Sequence, residues 1–117
     1  MNSNNKKEIK IAIPTNDGEN IFTKMLGRAK EFHIYEVNEK KFRFIEKRNN
    51  PYENTMQHLK TLDLYELISD CDIIISGRIG KKGIKRLEER NMKLFFRNGG
   101  IKEALINLVR KEKFYQI

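Results

Sequence analysis

Few side chains in this chain can do metal or acid–base chemistry. There are two histidines, His33 and His58, and one cysteine, Cys71, in 117 residues. A single thiol cannot supply the cysteine set that normally holds an iron–sulfur cluster. Cys71 also borders the apolar run Ile73-Ile74-Ile75, a setting in which a thiol is buried and inert. His33 lies inside the aromatic-rich stretch Phe32–Val37 and reads as a packed or strand-edge histidine. His58 stands where a loop enters a helical pattern, a partly open position, and is the better metal ligand. The plainer alternative is a helix-start histidine bonded to solvent. Gly77, Gly80, Lys81 and Lys82 form the last cluster. Two glycines three apart let the backbone turn tightly after an apolar strand, and the helix that follows points its positive end at the turn. That arrangement suits an anion. It is neither a P-loop nor a dinucleotide fingerprint, because the glycine spacing and the residue after Lys81 differ from both. A tight strand-to-helix turn without a ligand is the plain reading.

Elements must position these residues. Glu8 to Ile13 reads as a first strand, ended by the loop Pro14–Gly18. Thr23–Ala29 is a turn with a short helical segment. Phe32–Val37 and Phe42–Arg48 are two strands joined by a polar connection of hairpin length. Asn49–Asn54 is a loop, and Thr55–Ser69 a helix. The block Cys71–Ile75 has the β-branched, unbroken apolar character of a strand buried on both faces. Lys81–Arg90 is a helix, and Met92–Phe96 a strand with Phe95 and Phe96 buried. Ile101, Ala104, Leu105, Leu108 and Val109 mark an amphipathic helix ending near Lys111. The order β-β-β-α-β-α-β-α predicts an α/β domain of ribonuclease-H-like type. It has a five-stranded mixed sheet in order 3-2-1-4-5, with strands 1, 4 and 5 parallel and helices on its faces. One domain, residues 8–113, follows a polar tail at residues 1–7, expected to be disordered. In such sheets ligands gather at the carboxyl ends of the parallel strands.

The net charge is +8, and it is distributed unevenly. Residues 1–77 hold 12 Lys/Arg and 12 Asp/Glu, whereas residues 78–117 hold 12 and 4. The excess therefore begins at Arg78, inside the glycine turn, and favours anionic partners. Much of it also reads as ordinary solvated surface. No segment reads as a signal peptide or membrane span, and the lone cysteine fits a reducing cytoplasm.

Several segments in order resemble the dinitrogenase iron-molybdenum cofactor biosynthesis family, the group of the NifX and NafY proteins and the C-terminal domain of NifB. Ile13-Pro14-Thr15 matches the family's first strand end. Met25-Leu26-Gly27-Arg28-Ala29 matches its His-Phe-Gly-Arg-Ala segment, Asn50-Pro51 its Asn-Pro loop, and His58 the histidine that follows. Gly77-Arg78-Ile79-Gly80 matches its Gly-Gly-Ile-Gly turn. The resemblance covers residues 9–110. It implies a ribonuclease-H-like fold and a protein that binds, carries or inserts an iron–sulfur or iron–molybdenum cluster, with Gly27, Arg28, His58, Gly77, Gly80 and Lys81 around the cargo and His58 as metal ligand. Met25 replaces the family's first histidine. A thioether is a poor ligand for iron or molybdenum in place of imidazole. Leu59 and Arg78 replace two family glycines.

The reading is a small non-enzymatic carrier of an anionic metallocluster or related small anion, with a protein partner in cluster assembly. The chain carries no Ser-His-Asp or Cys-His constellation. Its first strand holds no acid, which argues against two-metal nuclease chemistry. Two other functions compete. One is nucleic-acid binding by the basic C-terminal third, although aromatics are not interleaved with the cations there. The other is a regulatory or interaction domain with a degenerate cofactor site.

Overall fold

A computed structural model describes residues 8–53 and 61–111. The five strands are β1 (Ile9–Thr15), β2 (Glu31–Asn38), β3 (Lys41–Asn49), β4 (Ile73–Ser76) and β5 (Lys93–Phe96). The helices are α1 (Thr61–Leu67), α2 (Lys81–Glu89) and α3 (Ile101–Lys111), with one turn of 3-10 helix at Leu26–Arg28. The sheet order is β3-β2-β1-β4-β5. Strands β1 to β3 form an antiparallel meander, and β4 and β5 add in parallel to β1. This is the expected ribonuclease-H-like arrangement.

Burial explains which strand sits where. All four residues of β4 are buried, as a strand covered by helices on both faces requires. β3 alternates exposed and half-buried residues and lies at the edge. On one face, Ile11, Ile13, Ile73 and Ile75 meet Ile101, Leu105 and Leu108 of α3. On the other, Ala12, Ile34 and Ile74 meet Leu64 and Ile68 of the α1 segment and Leu87 of α2. The result is a sandwich with two helices on one side and one on the other.

Three details differ from expectation. β1 continues through Pro14 and Thr15, which still pair with Phe32 and Glu31 after the β4 ladder has stopped. Phe96 is not buried. It is 45% exposed on the outer edge, because β5 has no neighbour on its far side. The α1 helix ends at Leu67 rather than Ser69. Its expected start at Thr55, the polar tail at residues 1–7, and His58 all lie outside the described residues.

Candidate functional site

The carboxyl ends of β1 and β4 are roofed by the long connection from β1 to β2, residues 16–30. This connection is fastened to three other loops. Ile21 N–H donates to Gly99 O at 2.8 Å, joining it to the loop after β5. Leu26 N–H donates to Arg78 O at 2.9 Å, joining it to the loop after β4. Asn50, buried beyond the end of β3, donates from Nδ2 to Gly27 O at 2.9 Å and to Ala29 O at 2.8 Å. Its Oδ1 accepts Tyr52 N–H at 2.9 Å, so the amide is used at both ends. Its position in the Asn-Pro loop thus has a structural meaning: it holds the turn that carries Gly27 and Arg28.

The first part of the connection is closed on itself. The Thr15 hydroxyl, fully buried, donates to Asn20 O at 2.6 Å and accepts Gly18 N–H at 2.9 Å. Asp17 accepts from the backbone N–H groups of Asn20 at 2.8 Å and Glu19 at 2.9 Å, and from Asn20 Nδ2 at 3.0 Å. These bonds, led by that from the Asn20 backbone, hold its carboxyl well below the usual carboxylate range. Gly18 has φ of +79°, and a Cβ there would stand 3.0 Å from His33 Cε1. His33 itself bonds Glu31 Oε2 at 2.8 Å and packs on Phe44, so it is a packed strand histidine.

The second part is open. Between it and the β4–α2 turn lies a cleft of about 790 Å3 lined by Thr23, Lys24, Met25, Arg28 and Arg78, with Asn16, Asp17 and Glu53 at its rim. Lys24, Arg28 and Arg78 are exposed cations. The two acids oppose them in part; Asp17 stays ionised, with its oxygens engaged by backbone N–H groups. Met25 is 43% exposed and bridges to Arg78. A Cβ on Gly80 would lie 3.8 Å from Met25 Cε, so the start of α2 borders the cleft. Gly80 makes no side-chain cap, and the first turn of α2 holds no acid. Lys81 opens that turn and is exposed. Gly77 answers a different need. A Cβ on it would lie 2.5 Å from Asn98 Oδ1 and 2.8 Å from Phe22 O, so its absence lets three loops meet.

The structure therefore brings Gly27, Arg28, Gly80 and Lys81 to one edge and shows Gly77 as the hinge of their packing. His58 lies outside the described residues; Glu53, on the cleft rim, precedes it in the chain. Sequence reasoning missed Lys24, and it took Arg78 as a replaced glycine and as the start of the basic excess without placing it among the site residues. The signal for Arg78 was its place where the basic excess begins. Among the described residues no group of three His, Cys, Asp or Glu side chains could hold a metal ion. Cys71 is buried at the opposite end of β4, and burial pushes its thiol up to about 12. The described donor set therefore fits the outer atoms of an anion, through charge and N–H groups, rather than direct ligation of its metal.

Fold and site together define a ribonuclease-H-like α/β domain with a cationic cleft at the carboxyl ends of its parallel strands. Residues 7–111 match the family model described as dinitrogenase iron-molybdenum cofactor, and the chain belongs to that family. Among solved structures, PH0822 superposes with a TM-score of 0.75 at 18% identity, covering 89% of this chain and 91% of the other. The apo form of the orange protein from Desulfovibrio gigas gives 0.69 at 17% identity, over 86% and 87% of the two chains. A NifB candidate from Thermotoga gives 0.62 at 18% identity, over 90% of each. At these identities the likeness is one of fold. No protein with a curated description is similar enough in sequence to count as a match. No helix among the described residues is long and apolar enough to cross a membrane.

Proposed function

We propose that this protein is a small non-enzymatic carrier that holds an anionic metallocluster, or a related small metal–sulfur anion, in the cleft between residues 23–28 and the start of α2. The supporting observation is the placement of three exposed cations, Lys24, Arg28 and Arg78, around a roomy cleft beside a helix start that no side chain caps. Family membership supports the class of cargo. In this reading Arg28 and Arg78 neutralise the cargo from two sides. Gly80 and Lys81 present the helix start, where backbone N–H groups and the dipole favour negative charge. Gly27 precedes Arg28 in the turn that Asn50 holds, and His58 is taken as the metal ligand. The carrier acts in the cytoplasm and passes its cargo to a protein partner in cluster assembly.

The test is retention of cargo. Protein made without oxygen is mixed with tetrathiomolybdate, or with ferrous iron and sulfide, and passed over a desalting column. Molybdenum or iron is expected to co-elute with the protein at no more than one cluster per chain, with affinity falling as salt rises. Protein that leaves the column free of both metals overturns the reading.

A further inference from the structure

The sheet has two outer edges, and they are built differently. β3 mixes Glu46 with Lys41, Arg43 and Lys47, and its ladder breaks register opposite Ile34 and Tyr35, both of which deter strand addition. β5 is short and regular. Lys93 N–H donates to Asp72 O and Arg97 N–H to Ser76 O, each at 3.0 Å. Backbone groups alternate in direction along a parallel ladder, so Lys93 and Phe95 turn theirs to β4, and Leu94 and Phe96 turn theirs outward. No strand among the described residues meets them there. The Phe96 carbonyl accepts Arg97 Nη1 at 2.8 Å. That leaves the Leu94 N–H and C=O and the Phe96 N–H as the open rungs among the described residues. Side chains alternate too. Leu94 and Phe96 share the face that carries α2, where Leu94 is half-buried in the core and Phe96 is exposed.

Charge decides what fits these rungs. Residues 78–97 hold 8 Lys/Arg and 2 Asp/Glu. Lys93 and Arg97 bracket the strand and are both exposed. The Arg97 guanidinium lies 5.7 Å from the Phe95 ring centroid, which keeps it along the edge. α2 packs against β5 and exposes Lys81, Lys82, Lys85 and Arg86. A second copy of the chain is the wrong occupant. Two β5 strands paired antiparallel about Phe95 would set each Lys93 opposite the other copy's Arg97, and like charges so placed destabilise a pair. Cations on a four-residue edge turn most chains away, and they select the opposite charge. We propose that the outer edge of β5 docks an acidic, extended segment of a partner protein. The segment adds as a sixth strand, with carboxylates beside Lys93 and Arg97 and an apolar side chain against Phe96. The edge ends beside the cleft, because Arg97 is bonded to Ser76 and Asn98 packs on Gly77. The docking itself needs no cargo.

The experiment is amide NMR with hydrogen exchange on the full chain without cargo, so that a failure here leaves the carrier reading to its own test. The probes are the end-blocked peptide Glu-Val-Glu-Phe-Glu-Val-Glu, its lysine counterpart, and single-stranded oligothymidylate. With the glutamate peptide, the Leu94 and Phe96 amide signals are expected to move and their exchange to slow about ten-fold, less so as salt rises. The lysine peptide should do neither. Lys93→Glu combined with Arg97→Glu should reverse that preference, with the α3 core signals in place as the check that the fold is kept. Leu94 and Phe96 amides that stay indifferent to the glutamate peptide up to about 1 mM overturn the proposal. So do amides already protected without any peptide, since the edge is then occupied. Signals that move only on α2, or that respond more strongly to oligothymidylate than to the peptide, assign the charge to a nucleic acid and overturn it too.

Discussion

The helices α2 and α3 both leave the carboxyl edge of the sheet, yet they begin in opposite electrostatic conditions. α3 carries Glu103 in its first turn, and a Cβ on Gly100 would collide with that carboxylate, so the acid folds back over the helix start. Its first N–H is taken by Glu19 O. The dipole is answered from within the chain, where an acid belongs. α2 has Lys81 and Lys82 in the same place, no acid in its first turn, and no side-chain cap. Two cations there oppose the helix that carries them. A local rule broken in this way, beside a cleft lined by Arg28 and Arg78, is what the proposed carrier role calls for, with the negative charge supplied by the cargo. The loop between them shows the same contrast. Within residues 15–20 the Thr15 hydroxyl and the Asp17 carboxylate are used inside the loop, whereas in residues 23–28 the Lys24 and Arg28 side chains are exposed on the cleft.

The largest way to break this contrast is to unfasten the roof. Asn50→Ala removes three hydrogen bonds from a buried amide and leaves the Gly27 and Ala29 carbonyls without that partner. Urea unfolding is expected to show a loss of about 2–3 kcal/mol. Asn50→Asp should not rescue it, because a carboxylate cannot donate to two carbonyls. Thr15→Val keeps the shape of the closed half but deletes a hydroxyl that donates to Asn20 O and accepts from Gly18 N–H. The same assay should show about 1–2 kcal/mol.

Acid should loosen the closed half and the far end of the sheet. Asp17 is held low by backbone donors. Asp70 is held low chiefly by Arg48, which grips it at 2.7 and 2.9 Å. Both carboxyls titrate lower folded than unfolded. Their stabilisation is therefore complete above the unfolded value of about 4 and is lost as pH falls below it. Thermal melts from pH 6 to pH 2 should fall along that limb, and Asp70→Asn should start lower and fall less steeply.

The open half should respond in binding rather than in stability. Arg28→Gln combined with Arg78→Gln is expected to weaken tetrathiomolybdate binding about ten-fold at low salt, by titration, with unfolding free energy moving by less than about 0.5 kcal/mol. Unchanged affinity would make the cleft a plain surface. The smallest effect sharpens the comparison most. Lys81→Glu gives α2 the kind of start that α3 has. It should raise stability by about 0.3–1 kcal/mol while lowering anion affinity, two opposite signs from one change.

Much of this was legible in advance, for reasons particular residues make plain. Ile73-Ile74-Ile75 announces a strand buried on both faces, and the i, i+3, i+4 spacing of Ile101, Ala104, Leu105, Leu108 announces α3. Once three strands precede two crossovers, short right-handed connections leave few sheet orders. Cys71 read as inert because an apolar flank raises a thiol, and burial does so here. Phe96 misled because an apolar strand residue looks the same whether its strand is central or at the edge. Arg78 was legible as the start of the basic excess, but its meeting with Lys24 and Arg28 across a cleft was not, because that depends on how the loops pack.

By itself, then, the sequence determined the element types, the sheet order and the one-sided charge, since these follow from periodicity, chain connectivity and counting. Only the tertiary structure decided which cations meet. Lys24, Arg28 and Arg78 are separated by up to 54 residues in the chain. They share a cleft because buried Asn50 and the Leu26–Arg78 bond pin one loop beneath another. Contacts of that kind depend on the geometry of loops between strands, which no local pattern encodes.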